Sequence, residues 1–220
     1  MSMQKPKTIQ FQGQAGVIDC ALDWPNETPR GWALVLHPLP TEGGTRDNKV
    51  VTTISRACAD LGLLAVRPNF RGVGLSAGEF DAAKGELQDM HALVEQFRSQ
   101  FPEFDGKPWA LAGFSFGTAV AAQLYSLLAQ EQAPTPDALL LSGTAVQRFR
   151  HIEVQVPNHT YLVHGADDEV VPLAEAMEFG KEHGLAVTVI PDCTHFFHGK
   201  LILLRQLVSD QIQLMLYRQS

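Results

Sequence analysis

The chain has 220 residues and carries 24 acidic against 17 basic side chains, a formal net charge of −7. Its length suits one domain, in which about 70% of the unfolded surface is buried, and its 45% hydrophobic content supplies an ordinary core. We therefore expect a single domain over residues 1–220. The negative charge and the absence of a lysine or arginine run argue against nucleic acid as a partner.

The N-terminal segment and the cysteines predict a soluble protein of the cytoplasm. Residues 1–10 contain no apolar segment of the kind found in signal peptides. The longest dense apolar run, residues 201–204, is far too short to span a bilayer, so no membrane partner is expected. Three cysteines without metal-ligand spacing fit reduced thiols, namely Cys20, Cys58 and Cys193.

The first half of the chain predicts a hairpin followed by alternating strands and helices. Residues 8–12 and 17–24 are short extended stretches, which predict an N-terminal antiparallel hairpin. Residues 32–36 form a continuous apolar run, as in a parallel strand buried on both faces. After a loop, Asp47 is the predicted cap of the first helix, and residues 63–66 predict the next strand.

The second half continues the alternation of helix and strand. Helices are predicted over residues 84–101, 118–130, 174–183 and 200–217, and strands over residues 107–112, 138–141, 159–163 and 186–190. Right-handed crossovers then give a doubly wound, mostly parallel α/β sheet with helices on both faces. The last helix is apolar nearly all round its first turns, which predicts burial against the sheet or against a second copy of the chain, so a homodimer is left open.

Residues 113–117 read Gly-Phe-Ser-Phe-Gly between a predicted strand and a predicted helix. A serine between two glycines at such a junction is the pattern of a nucleophile elbow. The turn is so tight that larger side chains at either glycine would clash. The Ser115 hydroxyl would then lie above the sheet at a helix N-terminus, where a developing negative charge is favoured. We predict that Ser115 is a nucleophile; the alternative is an ordinary glycine-rich turn with a surface serine.

A serine nucleophile needs a base within hydrogen-bond reach and a carboxylate that orients the base. In a parallel sheet both should follow at the ends of later strands. The carboxylate candidates are Asp168 and Asp167, which could otherwise solvate a turn. The base candidate is His195, with His198 as its competitor, and Asp192 could orient either ring. The chain order Ser, Asp, His is the one expected for a nucleophile elbow of this kind.

Several motifs together identify a family. They are residues 37–40, 43–45, 47–51 and 69–74, the elbow at residues 113–117, the Asp168 loop and residues 195–199. With them the chain resembles the α/β-hydrolases along essentially its whole length, and more closely the small, lid-poor bacterial hydrolases related to the dienelactone hydrolase group. The resemblance implies Ser115 as nucleophile, Asp168 as acid and His195 as base. Dienelactone hydrolases proper carry a cysteine nucleophile, where this chain has Ser115.

The expected oxyanion hole is formed by two backbone N–H groups. One should be that of Phe116, at the start of the helix that follows the elbow. The other should come from the loop after residues 32–36. Because Pro38 and Pro40 have no N–H, Leu39 is the natural donor.

An open cleft is expected above the elbow. Only residues 142–158 lie where related folds insert a lid, which is room for a loop and one short helix. The expected substrate contacts are Phe114, Phe196 and His37, with Phe116 and residues 145–149 as further walls. An open apolar cleft suits short or medium acyl groups.

Neither a metal nor a cofactor is expected. Histidines near strand ends are interpreted as ordinary core and loop residues, namely His37, His159 and His164. Residues 71–76 are interpreted as a packing turn, since they lack the spacing of a nucleotide-binding loop. Cys193 is too close to the base to replace Ser115.

The sequence thus predicts a serine hydrolase, and within that class a carboxylesterase for a small-molecule ester. Two alternatives remain open. One is a thioesterase or peptidase that uses the same triad, and the other is a non-catalytic ligand-binding protein on a hydrolase scaffold.

Overall fold

A computed structural model describes residues 7–218. Most of residues 1–10, where no signal peptide is predicted, therefore lies outside the described part. The strands are β1 Thr8–Gly13, β2 Gly16–Asp23, β3 Gly31–Leu36, β4 Leu63–Pro68, β5 Trp109–Phe114, β6 Ala138–Ser142, β7 Tyr161–Gly165 and β8 Val187–Ile190. The α-helices are α1 Lys49–Asp60, α2 Lys84–Gln100, α3 Phe116–Gln130, α4 Val146–Phe149, α5 Leu173–His183 and α6 Leu201–Arg218.

The strands form one eight-stranded sheet in the order β1-β2-β4-β3-β5-β6-β7-β8. The β1–β2 and β2–β4 pairs are antiparallel, and the pairs from β4 to β8 are parallel. The predicted N-terminal hairpin and the mostly parallel sheet are confirmed. Because the parallel strands share one direction, the loops at their carboxyl ends gather along one edge of the sheet.

Two apolar layers cover the two faces of the sheet. All six residues of β3 are buried, and they alternate between the layers. Trp32, Leu34 and Leu36 pack on the side of α2 and α3, whereas Ala33 and Val35 face α1 and α6. Large side chains buried in this way each stabilise the fold by about 1.5–3 kcal/mol. The predicted double winding is therefore confirmed.

The cap of α1 is not the predicted residue. Asn48, not Asp47, precedes the first turn, and its Oδ1 accepts a hydrogen bond from the Val50 N–H at 2.9 Å. The Asp47 carboxylate instead accepts a hydrogen bond from Arg67 at 3.0 Å. The two polar residues are adjacent and both can cap a helix; in the fold Asn48 takes the cap position, and Asp47 pairs with Arg67 of β4.

The last helix is buried on one face only. Its inner face reaches the core through Leu204, Val208, Ile212, Met215 and Leu216. On the outer face Ile202 is 87% exposed and Tyr217 is 79% exposed. Helix α1 and the sheet together therefore cover part of the apolar surface that the sequence predicts, and a homodimer stays a prediction. Within residues 7–218 we find no helix of the length and apolarity that a membrane crossing requires.

Candidate active site

The predicted site residues meet at the carboxyl ends of four parallel strands. Leu39 follows β3, Ser115 follows β5, Asp168 follows β7 and His195 follows β8. In the sheet β5 lies beside β3, and β7 lies beside β8, with β6 between the two pairs. Residues far apart in sequence are thus brought to one edge by the strand order alone.

The elbow has the strained backbone that its sequence predicts. Ser115 has φ 53° and ψ −120°, a region that serine rarely occupies. A Cβ on Gly113 would lie 2.4 Å from the carbonyl oxygen of Gly117, and a Cβ on Gly117 would lie 2.5 Å from that of Leu36. Both distances are too short for any side chain. Two glycines are therefore required for β5 to turn directly into α3 against the end of β3.

A continuous hydrogen-bonded chain joins the three predicted side chains. His195 Nε2 lies 2.9 Å from Ser115 Oγ. On the other side of the ring, His195 Nδ1 lies 2.7 Å from Asp168 Oδ2. All three residues are at least nine-tenths buried. With Asp168 ionised, Nδ1 carries the hydrogen and Nε2 presents its lone pair to the serine hydroxyl.

The Asp168 carboxylate is held as an anion by several donors. Its Oδ1 accepts hydrogen bonds from the N–H groups of Val170 and Val171, at 3.0 Å and 2.8 Å. Burial alone would raise the pKa of Asp168. The hydrogen bonds from His195 and Val171 outweigh it, so the pKa lies below its ordinary value. A buried carboxylate that stays ionised can orient an imidazole and stabilise its protonated form.

His164 binds the backbone of the loop that carries Asp168. Its Nε2 donates to the carbonyl oxygen of Val171 at 2.8 Å, and its Nδ1 accepts from the Thr144 N–H at 3.2 Å. The ring is fully buried, and burial lowers the pKa of His164. The residue is therefore a neutral core histidine, in agreement with its sequence interpretation.

Asp168 should stabilise the folded protein at neutral pH and lose this effect in acid. An unfolded aspartate has a pKa of about 3.9, and the folded pKa of Asp168 lies lower. Its contribution is complete above about pH 5 and disappears as the pH falls through the folded value. Urea unfolding of wild type and Asp168→Asn should show a difference in the free energy of unfolding at pH 7 that shrinks toward pH 3.

The neighbouring aspartate provides the control. The Asp167 side chain is exposed, so Asp167→Asn should change the free energy of unfolding by less than about 0.5 kcal/mol at either pH. A difference between wild type and Asp168→Asn that stays constant or grows in acid would contradict the prediction.

A cavity of about 120 Å³ opens above Ser115 and His195. Its wall is formed by four short segments: Pro38, Leu39, Glu42, Gly43, Gly44 and Asn48; Ala145, Arg148 and Phe149; Val170 and Val171; and Phe196. The single turn of α4 is the only helix between β6 and β7 in the described chain. The cleft is therefore open to solvent, as the short 142–158 segment predicts.

Three of the expected aromatic contacts do not reach this cavity. His37, Phe114 and Phe116 are 0% exposed and lie behind its wall. Both ring nitrogens of His37 are hydrogen-bonded, to Pro38 and Phe70. Phe114 packs beneath the His195 ring, with 5.0 Å between the ring centroids. The assignment of His37 and Phe114 as substrate contacts, and of Phe116 as a wall, is therefore wrong, whereas Phe196, 41% exposed, does line the cavity.

The alternatives for base and acid make no hydrogen bond to Ser115 in the described part of the chain. The side chains of Asp167, Asp192 and His198 are exposed. Asn48 and Val170 are among the cavity residues that the sequence did not predict as walls. Arg148 lies in the predicted 145–149 wall and pairs with Glu175, with Nε donating to Oε2 at 2.8 Å. The position of Arg148 in the short segment between β6 and β7 is the sequence feature that indicates its place in the cavity wall.

Comparison with known proteins gives relatives of the same architecture. No family model matches the chain. A lid-less α/β serine hydrolase from Xanthomonas campestris is 34% identical, with a TM-score of 0.84 over 97% of this chain and 95% of that one. An α/β serine hydrolase homologue from Coxiella burnetii is 29% identical, with a TM-score of 0.78 over 96% and 99% of the two chains.

A sequence relative covers a shorter stretch. An uncharacterized protein from Rickettsia prowazekii is 37% identical over 116 residues, which are 53% of this chain and 48% of that protein. The match thus spans about half the length of this curated relative.

Proposed function

Because this chain belongs to the α/β serine hydrolases, we propose that it is a carboxylesterase for small esters with short to medium acyl groups. The observation that carries the proposal is the hydrogen-bonded chain from Ser115 through His195 to Asp168, with distances of 2.9 Å and 2.7 Å. The hydroxyl of Ser115, at one end of this hydrogen-bonded series, lines an open cavity.

In the proposed mechanism Ser115 Oγ attacks the acyl carbon of the ester. His195 Nε2 removes the hydroxyl proton as the bond forms, and Asp168 stabilises the imidazolium that results. His195 then gives the proton to the departing alcohol, which leaves an acyl group on Ser115. Water enters the open cavity, is deprotonated by His195 and releases the acid. Every proton in this cycle is moved by side chains of the chain itself, so the proposal requires no cofactor.

We propose that two backbone N–H groups, those of Phe116 and Leu39, bind the oxyanion. Phe116 is the first residue of α3, and the first N–H groups of a helix have no acceptor within it. No residue between 7 and 218 accepts a hydrogen bond from the Leu39 N–H. Leu39 and Ser115 line the same cavity. Each donor of this kind typically accounts for about 100- to 1,000-fold in turnover.

The size of the cavity favours small acyl groups. Its volume of about 120 Å³ is below the range of about 300–1,000 Å³ found for pockets that bury drug-sized ligands. Each methylene that becomes buried contributes about 0.8 kcal/mol, or roughly fourfold in binding. In a series of p-nitrophenyl esters, kcat/KM should therefore rise with chain length while the acyl group fits and then level off or fall. A maximum at palmitoyl would contradict this prediction.

A substrate panel tests the function as a whole. Purified protein should hydrolyse p-nitrophenyl acetate and butyrate faster than the matched acyl thioesters and the aminoacyl p-nitroanilides. A preference for the thioesters or anilides would replace the carboxylesterase by one of the alternative hydrolases. Wild type without activity on any ester would favour a ligand-binding protein. The Ser115→Ala variant sets the background rate for every substrate.

The proposal places the enzyme in the cytoplasm. Cys20, Cys58 and Cys193 are all free and buried. Burial raises the pKa of the Cys193 thiol, which makes this neighbour of His195 a poor nucleophile. Three unpaired thiols suit a reducing compartment.

A further inference from the structure

His37 follows β3 and makes two hydrogen bonds from a fully buried ring. The Phe70 N–H donates to Nε2 at 2.9 Å, so this nitrogen must present its lone pair. The hydrogen of the neutral ring is therefore on Nδ1, which donates to the carbonyl oxygen of Pro38 at 2.7 Å. The contacts on both sides of the ring thus fix a single tautomer.

The carbonyl that His37 holds belongs to the peptide unit of an expected oxyanion donor. The Pro38 C=O and the Leu39 N–H lie in one planar group, and no peptide bond in residues 7–218 is cis. In a trans peptide these two groups point in opposite directions. Because the buried His37 ring binds the carbonyl, the Leu39 N–H is directed away from the core, where Leu39 lines the cavity with Ser115.

The surroundings leave this turn little freedom. The Leu39 carbonyl accepts hydrogen bonds from the N–H groups of Glu42 and Gly44, at 3.2 Å and 3.0 Å. A Cβ on Gly44 would lie 2.2 Å from the Pro38 oxygen, and a Cβ on Gly117 would lie 2.8 Å from the His37 oxygen. The turn therefore packs directly against the elbow, and within residues 7–218 His37 is the one side chain that hydrogen-bonds the Pro38 carbonyl.

We infer that His37 is a positioning residue, which fixes the Leu39 N–H in the oxyanion hole. The inference rests on the proposed function and replaces the expected contact between His37 and substrate. The ring acts through the Pro38–Leu39 peptide and never touches the acyl group. Burial lowers the pKa of His37 to about 4, so the neutral tautomer persists at physiological pH.

Two amide substitutions separate the hydrogen bonds of the ring. In His37→Asn the amide nitrogen comes near the position of Nδ1 and can still donate to Pro38. In His37→Gln the amide reaches the position of Nε2 instead, so the bond to Pro38 is lost. We expect His37→Gln to lower kcat by about 10- to 1,000-fold, with little change in KM. The upper limit is the effect of losing one oxyanion donor completely. His37→Asn should keep kcat within about threefold of wild type.

An alkyl boronic acid gives a second readout. Its tetrahedral adduct with Ser115 places an oxygen in the oxyanion hole, so its Ki should rise in His37→Gln by the same factor by which kcat/KM falls. Leu93→Ala is the control for lost stability, because Leu93 is fully buried in α2 and packs away from the cavity. This variant should lower the melting temperature and leave kcat of the folded protein unchanged.

A third measurement needs no variant. Nitrogen-15 shifts of the wild-type imidazoles should show His37 with a protonated Nδ1 and an unprotonated Nε2, unchanged between pH 6 and 8. The opposite tautomer would overturn the inference, as would equal kcat values for His37→Gln and His37→Asn. Wild type that hydrolyses no ester would defeat the proposed function itself. An active wild type whose kcat survives His37→Gln would defeat only the role of His37.

Discussion

Replacing Ser115 with alanine should lower kcat by about 10⁴- to 10⁶-fold, the loss typical of a triad whose members act as a unit. The variant keeps the elbow backbone and removes only the hydroxyl that His195 Nε2 approaches at 2.9 Å. The measurement is steady-state hydrolysis of the best p-nitrophenyl ester of the panel. A fluorophosphonate probe, which reacts with an activated serine, should label wild type and leave Ser115→Ala unlabelled.

The neighbouring strand offers a matched serine. Ser142 ends β6 beside the elbow, and its buried hydroxyl has no hydrogen-bond partner in residues 7–218. Ser142→Ala should therefore label normally and retain wild-type turnover. Labelling of Ser115→Ala would place the nucleophile elsewhere, and wild type that stays unlabelled would end the enzyme hypothesis.

Replacing His195 with alanine should lower kcat nearly as much, by about 10⁴- to 10⁶-fold, because the serine loses its proposed base. The ring is buried between Ser115 and Asp168, with its two nitrogens divided between them. His198, three residues later, has an exposed side chain. His198→Ala should therefore keep kcat within about threefold of wild type.

The comparison of the two histidines is measured on one substrate and with one probe. Loss of labelling should accompany the loss of turnover in His195→Ala, because the probe needs the same deprotonated hydroxyl. Equal losses in both variants, or the larger loss in His198→Ala, would contradict the assignment of His195 as the base.

The strand ends explain why so much of the site could be predicted. Ser115, Asp168 and His195 each follow a parallel strand, and parallel topology brings such positions to one edge whatever the loops between them do. Leu39 is predicted as a donor by a different argument, the missing N–H groups of its two flanking prolines. Superfamily membership, expected from the motifs, is confirmed by the relatives.

The errors concern side chains whose surroundings are set by distant parts of the chain. Asn48 caps α1, whereas its neighbour Asp47 contacts Arg67, which belongs to β4. His37 and Phe114 lie at strand ends like the triad, yet one binds Phe70 and the other packs under His195. A strand end predicts proximity to the site, but burial decides whether a side chain faces the cavity. The burial of a side chain depends on residues that are distant in sequence and become neighbours only in the folded protein.

The backbone conformation of Ser115 lowers the stability of the protein, although the proposed chemistry requires a serine in this position. At φ 53° and ψ −120° a serine costs about 1–3 kcal/mol that a glycine would not. Selection for thermostability alone would therefore favour glycine at position 115 and eliminate the hydroxyl. A directed-evolution campaign on this enzyme must screen for turnover as well as for melting temperature, since the easiest stabilising change at the elbow is also an inactivating one.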